Sequence, residues 1–223
     1  MASERAVAAM PTITTHTVGA FQENCYLLTD GAAGASVLID PGYESERLIE
    51  AVERSGTTLE AIWLTHAHLD HIGAIAGLER RWKVPIHLHP LDEPLYMLAT
   101  RQALLYGIEF EQPPPADRAL GDGDVLQVGT LRFDVMHTPG HAPGHVVIHG
   151  HGVAFVGDCL FAGSIGRTDL PLSNPRELAT SLSRIAALAH DTVVYPGHGP
   201  TTTVGIEART NPFLTGAARI VGA

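Results

Sequence analysis

Four short stretches of this chain end an apolar run with a sharp turn and a side chain that favours metals. They are THAHLDH (65–71), HTPGH (137–141), VGD (156–158) and YPGH (195–198). This repetition constrains the fold more than any other feature. Segments separated by up to about 130 positions must deliver their turns to one cleft if the side chains are to act together. Strand ends hold side chains more rigidly than free loops do, which a metal site requires. Pro139-Gly140 and Pro196-Gly197 force tight turns immediately before His141 and His198.

The first stretch is the densest. His66 and His68 alternate, so on extended backbone both point the same way. Asp70 and His71 then open a helix. One metal ion would find too many ligands here, and two would not. His141, Asp158 and His198 bring the set to seven, five imidazoles and two carboxylates. If one carboxylate bridges, each ion receives four protein ligands and a shared water has room. Nitrogen and oxygen donors without thiolate suit zinc, iron or manganese rather than a closed cysteine-type structural site. Two ions roughly 3.5–4 Å apart lower the pKa of a bridging water toward about 7 and polarise a carbonyl. Such a centre makes a hydrolytic nucleophile without serine or cysteine.

Composition bounds the remaining classes. A length of 223 residues suits one domain spanning 1–223. The net charge of −10, from 14 basic and 24 acidic residues, comes without the basic stripe of a nucleic-acid binder. The densest basic stretch, Arg80, Arg81 and Lys83, reads as a solvated helix end. Two cysteines, Cys25 and Cys159, do not make a disulfide framework, so a reducing, cytoplasmic setting is expected. MASERAVAAM lacks the apolar core of a signal peptide, and no apolar run approaches the roughly 20 residues of a membrane span. No membrane or nucleic-acid partner is expected, and the state is monomer or homodimer.

Apolar runs predict strands at 12–18, 24–29, 35–40, 61–65, 84–89, 131–137, 145–149, 153–158 and 192–196. Helical patterns cover 44–56, 71–82, 94–107 and 174–190, the last opened by an Asn174-Pro175 cap. Strands interspersed with helices predict α/β layering. His16, His149, His151 and His190 are expected at the surface. His87 and His89 are expected to face solvent or the helix layer, and His145 to serve packing or support rather than ligation.

The H-x-H-x-D-H run of His66, His68, Asp70 and His71, followed by single His, Asp and His, resembles the metallo-β-lactamase superfamily from Asn24 to Phe213. GDCLFAGSIGRTD (157–169) and PGHGPTTT (196–203) most resemble its short bacterial glyoxalase II-like hydrolases. The resemblance implies a four-layer αββα sandwich, two mixed sheets flanked by helices, with two divalent metals at one edge, zinc first and iron or manganese next. It places His66, His68 and His141 on one ion and Asp70, His71 and His198 on the other. Asp158 would bridge them, and Asp40 would orient a ligand histidine. Asp70 and Asp158 become the catalytic carboxylates beside a metal-bridging hydroxide. The secreted β-lactamases carry a cysteine near this bridge; Cys159, one residue away, reads as a packed thiol.

That resemblance implies hydrolysis of a small-molecule thioester of the glutathione type, such as S-D-lactoylglutathione. Full-length glyoxalase II enzymes hold glutathione with basic and tyrosine side chains of a helical C-terminal domain. Here only residues 199–223 follow His198, so contacts to a thiol carrier must come from elsewhere. The candidates are the 94–118 segment, Arg101, Tyr106 and Arg167, although Arg167 also reads as an internal ion pair holding the GRTD turn. GRTD also resembles persulfide dioxygenases of the same superfamily, which use one iron on the equivalents of His66, His141 and Asp158. A lactonase or other ester hydrolase is a further alternative.

Overall fold

The computed structural model of the chain describes residues 10–222. One six-stranded sheet follows chain order: β1 (Thr12–Val18), β2 (Glu23–Asp30), β3 (Ala35–Ile39), β4 (Thr58–Trp63), β5 (Ile86–Leu88) and β6 (Arg118–Ala119). Its first three strands are antiparallel neighbours, and the steps from β3 through β6 are parallel. A second sheet contains β7 (Val125–Val128), β8 (Leu131–His137), β9 (Val146–Gly150) and β10 (Val153–Gly157). A small hairpin, β11 (Leu160–Phe161) and β12 (Ser164–Ile165), separates these from β13 (Val193–Pro196) and β14 (Thr202–Thr203). The order across this sheet is β14-β13-β10-β9-β8-β7, with β10 and β13 parallel.

Alternation within the strands builds the layers. Tyr26, Leu28, Val37, Ile39 and Trp63 of the first sheet pack against Phe133, Val146, Ile148 and Phe155 of the second. The residues between them point outward. Cys25, Leu27, Leu38 and Ile62 meet the helices α1 (Ser45–Ser55) and α3 (Ile75–Arg81). Val147, Ala154 and Val156 meet α6 (Pro175–Ala186). Strands covered on both faces need apolar side chains on both, and β2, β3 and β10 are buried along their whole length. Each fully buried Leu, Ile or Phe contributes roughly 1.5–3 kcal/mol. The architecture is the expected pair of mixed sheets between helical layers.

Local readings needed correction where a tertiary contact competes with helix continuity. The 71–82 helix is two pieces, α2 (Leu69–Ile72) and α3, because Ala74 donates its N–H to Pro41 O at 3.0 Å. The 94–107 helix breaks at Leu98 into α4 (Glu93–Met97) and α5 (Ala99–Tyr106). Strands β6, β7, β11, β12 and β14 and helix α7 (Val204–Thr210) lie outside the sequence-based assignments. No helix among the described residues is long and apolar enough to cross a membrane.

Asn174 caps α6 as its sequence suggests. Its side-chain oxygen accepts from Arg176 N (3.1 Å) and Glu177 N (3.3 Å), with Pro175 in the first turn. Its own N–H donates to Gly140 O at 2.7 Å, which ties the helix start to the turn before His141. Asn174→Ala is expected to cost about 1 kcal/mol of stability, read as a lower urea midpoint with an unchanged m-value.

Candidate metal centre

The carboxyl ends of five strands meet at one edge of the paired sheets. Asp40 follows β3, and His66 and His68 follow β4, with Asp70 and His71 in α2. His141 follows β8, Asp158 follows β10 and His198 follows β13. All seven expected ligands are brought together. His66, His68 and His141 form one group whose donor atoms lie within 4.8 Å of one another, and Asp70, His71 and His198 form a second.

Asp158 sits between the groups. Its Oδ2 is 3.5 Å from His141 Nε2 and 3.5 Å from His198 Nε2, and its Oδ1 is 3.5 Å from His71 Nε2. Asp70 Oδ2 lies 3.3 Å from His198 Nε2 and 4.0 Å from His71 Nε2. His68 enters differently, with Nδ1 only 2.9 Å from His141 Nε2. Gly197 permits this crowding, since a Cβ there would collide with Asp158 Oδ1 and press on the His71 ring.

The outer nitrogens of four rings are anchored. His71 Nδ1 faces Asp40 Oδ2 at 3.1 Å, and His141 Nδ1 faces Arg167 O at 3.0 Å. His198 Nδ1 faces Phe21 O at 3.1 Å. Thr65 donates its hydroxyl to Asp40 Oδ2 (2.6 Å), so its oxygen is left to accept from His66 Nδ1 at 3.1 Å. Carbonyl and carboxylate partners require Nδ1–H and leave Nε2 with its lone pair turned inward.

Charge follows the same geometry. Burial, then neighbouring imidazoles, holds His66 well below its usual range and His68 down at about 3. His141 is also lowered, chiefly by burial. Burial would lower His71 as well, but Asp158 and Asp70 outweigh it and raise the group. His198 is raised likewise, by Asp70 and Asp158 against burial. For Asp158 and Asp70 burial acts upward and the facing histidines win, so both carboxyls are held low. The cluster therefore combines three imidazoles held low, His66, His68 and His141, with two ionised carboxylates that raise His71 and His198.

These residues fit divalent cations. His66 Nε2, His71 Nε2 and Asp158 Oδ1 are buried with no hydrogen-bond partner. Buried polar atoms are nearly always partnered, and these converge on the same space. Cys159 is excluded from the donor set, because its Sγ donates to Thr138 O at 3.3 Å and burial pushes its thiol up to about 12.

Supporting residues escaped the sequence reading in part. His145 is fully buried and is no ligand. Its Nε2 accepts from Asp158 N (3.1 Å), and its Nδ1 meets Thr138 Oγ1 (3.0 Å). Asp92 was not singled out, yet it accepts from Ala67 N (3.0 Å) and from Gly144 N, joining the two ligand-bearing loops. Burial raises its carboxyl to about 6 against those two bonds. An acid in a short HPLDEP run carries no local sign of such a role. His16 and His149 are half-buried rather than at the surface, and His89 stacks on His137 with ring centres 4.2 Å apart.

The three candidate substrate contacts stand outside the cluster. Arg167 is exposed and paired with Asp169 through two bonds of 2.7 Å, while its backbone carbonyl anchors His141. Tyr106 is exposed and packs edge-on against Phe21, with ring centres 6.5 Å apart. Arg101 is exposed on α5.

A histidine–aspartate metal site at the edge of two sheets wrapped in helices defines a class of metal-binding α/β enzymes. The chain belongs to the metallo-beta-lactamase superfamily, which it matches over residues 18–198. It is similar to hydroxyacylglutathione hydrolase GloC of Haemophilus influenzae, 40% identical over 202 residues that cover 88% of this chain and 95% of that protein. Among solved structures, TTHA1623 in a di-iron-bound form matches with a TM-score of 0.84 and 46% identity, over 90% of this chain and 100% of the other. ETHE1 from Myxococcus xanthus matches with a TM-score of 0.78 and 29% identity, over 92% of this chain and 85% of the other. The chain is thus an enzyme of a metallo-hydrolase superfamily with a histidine–aspartate metal-binding cluster.

Two substitutions separate the aspartate from the adjacent thiol. Asp158→Ala is expected to lower bound metal, measured by elemental analysis of the purified chain, because three ligand-type histidines lose their common carboxylate. Two ions retained per chain would remove its central role. Cys159→Ser is expected to keep full metal content, since that thiol points away from the donors.

Proposed function

We propose that this chain is a dinuclear metal-dependent thioester hydrolase acting on a glutathione-type thioester such as S-D-lactoylglutathione. The observation that carries the reading is the position of Asp158, with Oδ2 equally 3.5 Å from one histidine of each group. In this reading His66, His68 and His141 would hold one ion, Asp70, His71 and His198 would hold the other, and Asp158 would serve both. Bound there, two ions supply Lewis acidity for a carbonyl oxygen and a water acidified toward neutral pH.

The chain's own groups orient this chemistry. Asp40, Thr65, Arg167 O and Phe21 O fix the ring directions, so the geometry is set before substrate arrives. Asp70 and Asp158, held ionised, would be the catalytic carboxylates, each facing His71 and His198. A thiolate is a good leaving group, so no dedicated acid is needed to protonate it. Similarity to a hydroxyacylglutathione hydrolase over 95% of that protein supports the thioester class. Arg101, Tyr106 and Arg167 are the proposed contacts to the thiol carrier, in a cytoplasmic setting.

A second reading is favoured by the likeness to ETHE1. There one iron on His66, His141 and Asp158 would oxidise a persulfide with oxygen. Metal analysis paired with two assays decides between them. The metal-loaded chain is expected to hydrolyse S-D-lactoylglutathione with kcat/KM of at least about 10⁴ M⁻¹s⁻¹. It is expected to consume no oxygen with glutathione persulfide. Oxygen uptake without thioester cleavage reverses the assignment.

A further inference from the structure

The small hairpin that follows Asp158 is held at its tip by side chains from a distant helix. Glu207 lies in α7 and Asn211 just past its end, and both are buried. Glu207 Oε2 accepts from Gly163 N at 2.8 Å and from the Asn211 amide at 2.9 Å. Its Oε1 accepts from the Thr202 hydroxyl at 2.7 Å. The Asn211 amide also donates to Ser164 O at 3.0 Å and to Phe161 O at 3.4 Å. Glu207 thus ties the turn after Asp158 to β14, the strand after His198.

The base of the hairpin has bonds of its own. Gly166 N donates to Cys159 O at 3.2 Å, Cys159 Sγ donates to Thr138 O, and Arg167 O meets His141 Nδ1. The tip has no such support from its ladder, which pairs only Leu160 with Ile165 and Phe161 with Ser164. A two-stranded hairpin this short is not stable alone. Ala162, Gly163 and Ser164 are exposed, so the bonds to Glu207 and Asn211 decide where the tip lies. What the tip carries is Phe161, partly buried, with its ring 6.1 Å from the His198 ring and nearly perpendicular to it. Phe21, whose carbonyl meets His198 Nδ1, is exposed as well.

We propose that Glu207 and Asn211 are positioning residues which hold the hairpin tip so that Phe161 forms an apolar wall beside His198, against which a bound thioester packs. This inference rests on the thioester reading of the site. Phe161 has no group that gains or loses charge in the reaction, so its contact stabilises bound substrate and transition state alike. Such a contact lowers KM and leaves kcat alone. Glu207 and Asn211 act through Phe161, and the separate bonds of the hairpin base keep Asp158 and His141 in place when the tip is released.

The test measures steady-state hydrolysis of S-D-lactoylglutathione by the metal-loaded full chain. Phe161→Ala is expected to raise KM about 5- to 10-fold and to keep kcat within about twofold. Glu207→Ala is expected to show the same split with unchanged metal content. The combined variant is expected to have a KM no higher than the worse single variant, because the clamp acts through that ring. Glu207→Gln is expected to behave as wild type. Its amide oxygen can accept from Gly163 and Asn211 while its amide nitrogen donates to Thr202. Hydrogen exchange at the Gly163 amide is expected to quicken at least about 10-fold in Glu207→Ala, with Gly166 unchanged. Should Glu207→Ala not fold, Asn211→Ser carries the same kinetic expectations, since it releases the Phe161 and Ser164 carbonyls and keeps the Gly163 bond. Multiplying KM effects in the combined variant, a fall in kcat at unchanged KM, or equally faster exchange at Gly163 and Gly166 overturns the proposal. Wild-type hydrolysis with KM unmoved by Phe161→Ala overturns it alone. A wild-type chain inert toward the thioester overturns the thioester reading and this wall with it.

Discussion

Five imidazoles and two carboxylates can share one cleft only if each is held so that its lone pairs, not its protons, face the centre. That constraint organises the molecule. Left to itself such a cluster is unfavourable, because burial strips its members of water and leaves several donor atoms without partners. The anchored Nδ1 positions resolve the directional part of the problem. Asp40, Thr65 and the backbone carbonyls of Phe21 and Arg167 each hold a ring by its outer nitrogen, so the inner nitrogens converge without freedom to turn away.

The cost of that convergence falls on the rest of the fold. Three apolar layers, one between the sheets and one beneath each helical face, bury β2, β3 and β10 on both faces and the inward faces of β7 and β8. The edge where the strands end is released from packing duty and carries polar groups that no core would choose. Proteins commonly hold such locally destabilising sites against a well-packed scaffold. Two parallel pairs, β3 with β4 and β10 with β13, make this efficient, because parallel neighbours end on the same side and bring their following loops together. Asp92 then locks the loop of His66 and His68 to that of His145.

The mouth of the site has a different character from its floor. Phe21 anchors His198 by its carbonyl and packs its ring on Tyr106 of α5, while Phe161 stands 6.1 Å from the His198 ring. Arg167, the cation nearest in sequence to the cluster's hairpin, is neutralised by Asp169. An aromatic rim of Phe21, Tyr106 and Phe161 thus borders the charged floor of the cluster.

Much of this was legible in the chain itself. His66, His68, Asp70 and His71 lie within one turn of backbone, so their clustering is a local property, and the Pro-Gly steps before His141 and His198 carry their own geometry. Alternating apolar strands set the layering, and Asn174-Pro175 marked its helix start. The ion pair of Arg167 with Asp169, two residues apart, was also readable. Only the tertiary structure decided the breaks at Gly73 and Leu98, since Ala74 is claimed by the distant Pro41. It alone placed Asp92 against Ala67 and Gly144, and Glu207 against Gly163. The physical reason is range. Periodicity and turn chemistry act over a few residues, whereas a buried carboxylate owes its position to partners 25 to 52 residues away, with which it shares no pattern until the sheets have closed.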